Sequence, residues 1–232
     1  MTTDESLRPA VLIPTFNNAF TLEGAIEGAI AHVDTVLVVD DGSTDNTKEV
    51  LERFSGRVDV HTHPVNRGKG VALRSGFEIL AGKGFSYAIS MDADGQHFAD
   101  DLPRFIAAVT ERPGALAVGE RDMREAGAPR RSLFGLWFSN MALRRLAGAR
   151  LNDSQAGFRA YPLPGVLGLD LRGTRYDLEL EVLIKAARRG IPLIPVPIRC
   201  SYNPDGGRVS HFRPVRDFCH IWGQVLRLMF SG

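Results

Sequence analysis

Cysteine is nearly absent. Cys200 and Cys219 are the only two in 232 residues. Two isolated cysteines build no disulfide framework and lack metal-ligand spacing; they fit a reducing compartment. No apolar run is long enough to cross a bilayer, so no transmembrane helix is expected. Net charge is scarce too. Lys and Arg total 28 against 27 for Asp and Glu, a formal +1, which leaves no overall field to draw nucleic acid. The first ten residues, MTTDESLRPA, are polar and acidic, unlike a signal peptide. Internal repeats and low-complexity tracts are missing. What remains is a composition 44% hydrophobic and 24% charged, that of an ordinary globular chain, and the length favours one domain over 1–232.

The first half alternates short apolar runs with helical patterns. AVLIP (10–14) is a strand that stops at Pro14, and TLEGAIEGAIAH (21–32) reads as a helix with Thr21 as its cap. TVLVVD (35–40) is an unbroken apolar run, as expected of a parallel strand buried on both faces. A helix over STDNTKEVLERF, a strand over RVDVHTH, a helix over GVALRSGFEILAG, a strand over FSYAISMD, a helix beginning in ADDLPRFIAAVTE and a strand over ALAVGERD follow. Such alternation implies βαβ units, right-handed crossovers and a mostly parallel sheet with helices on both faces, an α/β fold of Rossmann-like type. The second half is less regular. GAPRR (127–131) reads as a basic connection, 133–148 as a helix with a bulky apolar face, and SQAGFRAYP as a strand. DLELEVLIKAARRG (177–190) is a helix ended by Gly190, and IPLIPVPIRCSY, studded with proline, reads as an edge strand.

In a parallel α/β sheet ligands bind beyond the carboxyl ends of the strands. Those ends read PTFNN, VVDDGSTD, NRGKG and MDADGQH, so polar groups collect at one edge. On an extended segment Asp92 and Asp94 face the same way, with Gln96 next in reach. Their oxygens suit a hard divalent ion, Mg²⁺ or Mn²⁺, which would neutralise a diphosphate leaving group. Asp40 or Asp41 suits a base N–H or ribose hydroxyls, while Asp45 and Thr47 read as helix caps. Arg67 and Lys69 stand between glycines at a helix start, where backbone N–H groups favour anions. Asp100 and Asp101 read as helix-capping acids. His32, His61 and His63 form no metal set, and Asp177, Glu179 and Glu181 read as an acidic first turn.

Taken together, VLIPTFNN, VVDDGSTDNT, NRGKGVALRSG, MDADGQH and GERD resemble, in order and spacing, the inverting family-two glycosyltransferases of GT-A fold. The resemblance runs from about residue 10 to 217. DSQAGFRAY (153–161), RYDLELEVL (175–183) and RVSHFRPVRDF (208–218) are similar to the subgroup that loads mannose or glucose onto polyprenyl or dolichol phosphate. It implies a nucleotide-sugar half (about 8–122), a smaller α+β acceptor half (about 123–232), and a UDP- or GDP-sugar donor. By the resemblance Pro14, Phe16 and Asn18 line the nucleotide pocket and Asp40 touches base or ribose. Asp92 supports the base side and the metal, and Asp94 and Gln96 hold the metal and the diphosphate. Arg121 contacts a donor or acceptor phosphate, and Arg208, Ser210, His211 and Arg213 hold the acceptor phosphate.

A phosphate monoester is largely dianionic at neutral pH, since its second pKa is about 6, so it needs cations rather than a strong base. Arg199, Arg208, His211, Arg213 and Arg216 supply them. Asp153 serves as a base if the acceptor is instead a hydroxyl, as in a family-two enzyme of polysaccharide or glycolipid synthesis. The cluster precedes an amphipathic stripe of Phe218, Ile221, Trp222, Val225 and Met229, with Leu133, Leu136, Trp137 and Met141 as a second apolar face. Basic residues beside apolar anchors suit a cytoplasmic membrane surface, a membrane partner protein or a second copy of the chain. A nucleotidyltransferase is disfavoured because the loop after the first strand lacks glycine.

Overall fold

A computed structural model describes residues 7–95, 97–122, 130–199 and Gly223. Seven strands, β1 (Pro9–Thr15), β2 (Val36–Asp40), β3 (Asp59–Thr62), β4 (Tyr87–Ser90), β5 (Leu116–Arg121), β6 (Arg159–Pro162) and β7 (Leu193–Ile198), form one sheet in the order β3-β2-β1-β4-β6-β5-β7. The helices are α1 (Ala19–Ile30), α2 (Thr47–Arg53), α3 (Lys69–Gly82), α4 (Leu102–Glu111), α5 (Arg130–Ala147), α6 (Leu163–Leu167) and α7 (Asp177–Arg188). A 3₁₀ turn over Ala99–Asp101 leads into α4.

Alternation along the strands splits the core in two. Leu37 and Val39 of β2, with Leu12 of β1, pack into the layer shared by α3, α5, α6 and α7. Val36 and Val38, with Val11 and Ile13, pack into the layer shared by α1, α2 and α4. Every residue of β2 is buried, which is why the strand is apolar up to Asp40 at its end. β7 lies at the edge, as its prolines require: Pro195 and Pro197 are exposed while Ile194, Val196 and Ile198 face the core.

Pro14 sits in a central strand, where proline is unusual. The Val11 N–H points to β2, donating to Thr35 O at 3.0 Å, so alternation aims position 14 at β4. The β4 ladder has already ended there with Met91 N to Leu12 O at 3.0 Å, so no donor is missed.

Six strands run one way and β6 runs against its neighbours β4 and β5. The sequence pattern shows a strand here but not its direction. The reversal brings the stretch before β6, residues 153–158, to the edge where β1, β2, β4 and β5 end. The return segment 168–176 climbs to the same edge, where Gly70 N donates to Thr174 O at 3.0 Å, so α7 begins beside α3. Among the described residues no helix is long and apolar enough to cross a membrane.

Candidate active site

Two loops at this edge are latched together. Asn17, in left-handed conformation at φ 52°, accepts from Thr44 N at 2.7 Å, and its own N–H donates to Ser43 Oγ at 2.9 Å. Asp45 accepts from Ala19 N at 3.1 Å and from Thr47 N and Oγ1 at 3.0 and 2.6 Å. It therefore caps α1 from a distance as well as the start of α2. Thr21 is not the cap expected of it, because α1 begins two residues earlier. Its hydroxyl donates to Ala93 O and pins the acidic turn after β4 instead.

The two acids that end β2 divide the work. Asp40 is buried and accepts from Ser43 N at 3.0 Å. Asp41 accepts from Arg67 N at 3.0 Å and Gly68 N at 2.6 Å, and meets His63 Nδ1 at 2.7 Å; His63 Nε2 lies 3.0 Å from Ser75 Oγ. The Asp41 carboxylate is thus consumed in holding the turn that starts α3. Gly42, at φ +74°, lets that turn close, since a Cβ there would lie 2.5 Å from the Val65 carbonyl carbon.

α3 opens with Lys69. Its ammonium lies 2.6 Å from Asp92 and 3.2 Å from Glu179, with the Tyr176 ring 5.5 Å away. Burial alone would depress the Lys69 pKa, but the Asp92 and Glu179 charges outweigh it and raise it. Burial would likewise raise Asp92, yet the Lys69 ammonium holds it below the ordinary aspartate value. The Asp92 N–H donates to His97 Nδ1 at 3.0 Å, and the imidazole stacks on Phe158 at 5.0 Å between centroids. Burial pushes the His97 pKa down, so the ring stays neutral and accepts this bond. Residues 92–95 turn rather than extend, with Gly95 at φ +75°, so strict strand alternation does not place Asp92 and Asp94. Asp92 faces Lys69 and Glu179, and Asp94 follows two residues later in the turn. Gln96 lies outside the described residues.

At the end of β5, Arg121 grips Asp153 through two hydrogen bonds, Nε to Oδ2 at 2.6 Å and Nη2 to Oδ1 at 3.1 Å. Asp153 also accepts from Gln155 N at 3.1 Å. With both oxygens on a guanidinium, this buried carboxylate holds a loop and is not poised as the base the sequence offered. Arg159, fully buried, donates to the carbonyls of Ser154, Ala156 and Glu179 at 2.9, 2.7 and 2.6 Å, fixing residues 154–156 against α7. Arg199, counted among the acceptor cations, is committed elsewhere: its N and Nε donate to buried Asp101 at 2.9 and 3.2 Å. Asp101 therefore ties β7 to α4 and is more than a capping acid. Arg208, Ser210, His211, Arg213, Arg216 and the tail stripe lie outside the described residues, as do Cys200, Cys219 and positions 127–129 of the basic connection; its Arg130 and Arg131 open α5.

Of the donor-side residues, Pro14 is buried, and Phe16 and Asn18 are half-buried at the mouth of β1. Asn18, Phe20, Thr21, Asn46 and Arg53 line a depression beside them. Glu179, His97, Arg159 and Gly157 were missed as members of the site. A Cβ on Gly157 would lie 2.6 Å from Asp92 Oδ2, 2.9 Å from Lys69 Nζ and 3.1 Å from Glu179 Oε1, so glycine is needed for this cluster to close. The sequence shows Glu179 only as one of three acids alternating with leucine and valine in a helix start, which the helix dipole explains locally; the fold buries all three.

A model of the family described as Glycosyl transferase family 2 matches residues 10–161, which runs from β1 into β6 and takes in every group placed above except Tyr176, the α7 acids and Arg199. The chain belongs to that family. As a family-two glycosyltransferase it is 32% identical to glycosyltransferase AglJ of Haloferax volcanii over 94% of its own length and 70% of that protein's. To the undecaprenyl-phosphate mannosyltransferase of Micrococcus luteus it is 30% identical over 83% of each chain. Its fold is GT-A, as expected. The glucosyl-3-phosphoglycerate synthase of Mycobacterium tuberculosis superposes with a TM-score of 0.71, 22% identity and coverage of 97% of this glycosyltransferase and 81% of that chain. That synthase has been solved with Mn²⁺ and uridine diphosphate and with Mg²⁺ and uridine diphosphate.

Among the described residues no group of three or more His, Cys, Asp or Glu could hold a metal by itself. Asp92 already faces an ammonium, which leaves oxygen donors too few for a complete cage. This fits the way Mg²⁺ binds, through one or two carboxylates plus waters and substrate phosphates.

Proposed function

We propose that this glycosyltransferase moves a hexose, with inversion, from a UDP- or GDP-sugar to a polyprenyl phosphate at a membrane surface, with Mg²⁺ or Mn²⁺ bound. The observation that carries the reading is the Asp153–Arg121 pair. Asp153, the acid offered as a base for a hydroxyl acceptor, is spent on the Arg121 guanidinium, which suits an acceptor that arrives already ionised. The names of relatives point the same way: the M. luteus protein is an undecaprenyl-phosphate mannosyltransferase, and a 31% identical protein of Mycolicibacterium smegmatis is a polyprenol monophosphomannose synthase.

On this reading Asp94 and Gln96 hold the cation, with Asp92 beside it, and the bound cation neutralises the diphosphate that leaves. Asp40 takes base or ribose, and Pro14, Phe16 and Asn18 frame the nucleotide. Lys69 braces the Asp92 side of the donor. Arg121 faces a phosphate, and Arg208, Ser210, His211 and Arg213 hold the acceptor phosphate. Inversion follows from a single displacement, in which the acceptor oxygen approaches opposite the diphosphate. The membrane enters through α5, where Leu133, Phe134 and Trp137 stand exposed, the two aromatic rings 6.0 Å apart. Leu136 is buried and Met141 packs against the core, so the apolar face read from the sequence splits into a core half and a free half.

The deciding experiment is a screen of UDP- and GDP-sugars against a short polyprenyl phosphate and against soluble hydroxyl acceptors, reading released nucleotide. Transfer to the lipid phosphate is expected. Transfer only to hydroxyls would replace this reading with that of a polysaccharide- or glycolipid-building enzyme.

A further inference from the structure

We infer that Lys69 is the resident cation of the Asp92 carboxylate and makes capture of a divalent ion conditional on the arriving diphosphate. The inference rests on the metal reading proposed above and adds an order of binding to it.

Lys69 is boxed in from several sides. Its backbone follows Gly68, whose N–H is held by Asp41 at 2.6 Å and whose φ is +99°. Gly70 N is bonded to Thr174 O at 3.0 Å, so the first turn of α3 is fixed against the segment leading to α7. The side chain then runs to two carboxylates, 2.6 Å to Asp92 and 3.2 Å to Glu179. Gly157 closes the remaining side, with its Cα close enough that a Cβ would collide with Asp92 and Lys69 and crowd Glu179. These constraints come from four separate segments, so the ammonium has one place to be.

A carboxylate in contact with an ammonium is a poor ligand for a second cation. An ion seated between Asp92 and Asp94 would meet a like charge at short range, in a site where burial weakens screening. The Asp92–Glu179–Lys69 set carries two negative charges and one positive, and Asp94 adds one more negative charge. Two ionised phosphates change that balance, bringing both oxygen ligands and negative charge. The free protein therefore holds a divalent ion weakly, and the nucleotide-loaded protein holds it well. In the free state Lys69 does part of an ion's work, keeping Asp92 neutralised and in place.

The test is a Mn²⁺ titration of the full chain followed by electron paramagnetic resonance, without nucleotide and with UDP or GDP in separate series. Wild type is expected to bind Mn²⁺ at least about tenfold more tightly with the matching nucleotide. Lys69→Met is expected to raise nucleotide-free affinity by about tenfold, and Lys69→Arg, which keeps the charge, to leave it low. Lys69→Gln retains a donor for both carboxylates without the charge, and carries the same expectation as Lys69→Met should that variant fail to fold by circular dichroism. Unchanged nucleotide-free affinity in the folded neutral variants overturns the inference and leaves the metal reading intact. Wild type holding Mn²⁺ equally well without nucleotide also overturns it. No Mn²⁺ binding by any of the proteins, even with nucleotide, overturns the inference and the metal reading together.

Discussion

Asp94 is the residue on which the metal reading turns, because the neighbouring Asp92 is shared with Lys69. Asp94→Ala should abolish transfer while leaving the melting temperature near that of wild type; full activity in excess chelator would dispose of the claim. Asp45 makes the opposite case, a residue that serves the fold. Desolvation works against its charge, but the Thr47 hydroxyl and the amides of Ala19 and Thr47 hold its pKa below the ordinary aspartate value. A depressed folded pKa means that the stability it contributes is present above the unfolded value, about 3.9, and is lost as pH falls through the folded one. Asp45→Ala should cost about 1–2 kcal/mol at neutral pH, as the loss of a helix cap does, and the deficit should shrink in urea titrations below about pH 4. Lys69, Asp92 and Asp94 could be singled out by residue type and spacing alone. Glu179 could not, because an acid near a helix start has a sufficient local explanation in the dipole.

The segment from Asp153 to Gly157, leading into β6, shows how an element is set by its neighbours. Arg121 holds its first residue, Arg159 its carbonyls, and α5 its middle, where Ser154 N donates to Asn140 Oδ1 at 3.1 Å and Gln155 Nε2 donates to Ser139 Oγ at 3.1 Å. Gly157→Ala inserts a methyl into the Asp92–Lys69–Glu179 cluster. Transfer should fall on the order of tenfold to a hundredfold, the cost of displacing reacting groups by a fraction of an ångström to one ångström, with nucleotide still bound in a calorimetric titration. Retention of full kcat would show that the cluster can shift without consequence. The RVSHFRP stretch is argued from its motif. Arg208→Ala or Arg213→Ala should weaken acceptor use more than donor binding, by about 1.5–3 kcal/mol each for a charge-assisted hydrogen bond. Equal loss of UDP or GDP affinity would move these residues to the donor side. Strands β1, β2, β4 and β5 were legible because apolar runs end in polar turns. The direction of β6 was not, because four residues of strand carry no signal for which way they run.

At the scale of the molecule, an exposed apolar patch among the described residues lies on α5, where Phe134 and Trp137 are 60% and 59% accessible. A tryptophan on an apolar helix face is more often core, and here no described residue covers it. Burying two such side chains in an interface contributes roughly 1.5–3 kcal/mol each, and each nearby cation about 1 kcal/mol on an anionic leaflet. The Phe134→Ser/Trp137→Ser double variant should therefore sediment with anionic vesicles at least about tenfold less than wild type, and added salt should weaken both. Binding unchanged in that variant but lost on deletion of residues 218–232 would transfer the contact to the tail. No vesicle binding by the intact chain at low salt would remove the membrane from the reading.

Sequence alone determined the βαβ alternation, the buried parallel strands and the gathering of Asp40, Lys69, Asp92 and Asp94 at one edge. Each rests on local physics: side-chain period, turn residues and the rule that strand ends in such sheets face the ligand. Tertiary structure decided which carboxylates remain available there. Asp41 goes to a loop, Asp153 to Arg121 and Asp101 to Arg199, while Glu179 arrives from 110 positions beyond Lys69. A charge is committed or available according to what lies within about 3 Å of it, and for groups brought together by an antiparallel strand and a returning segment that distance is set only when the chain has closed on itself.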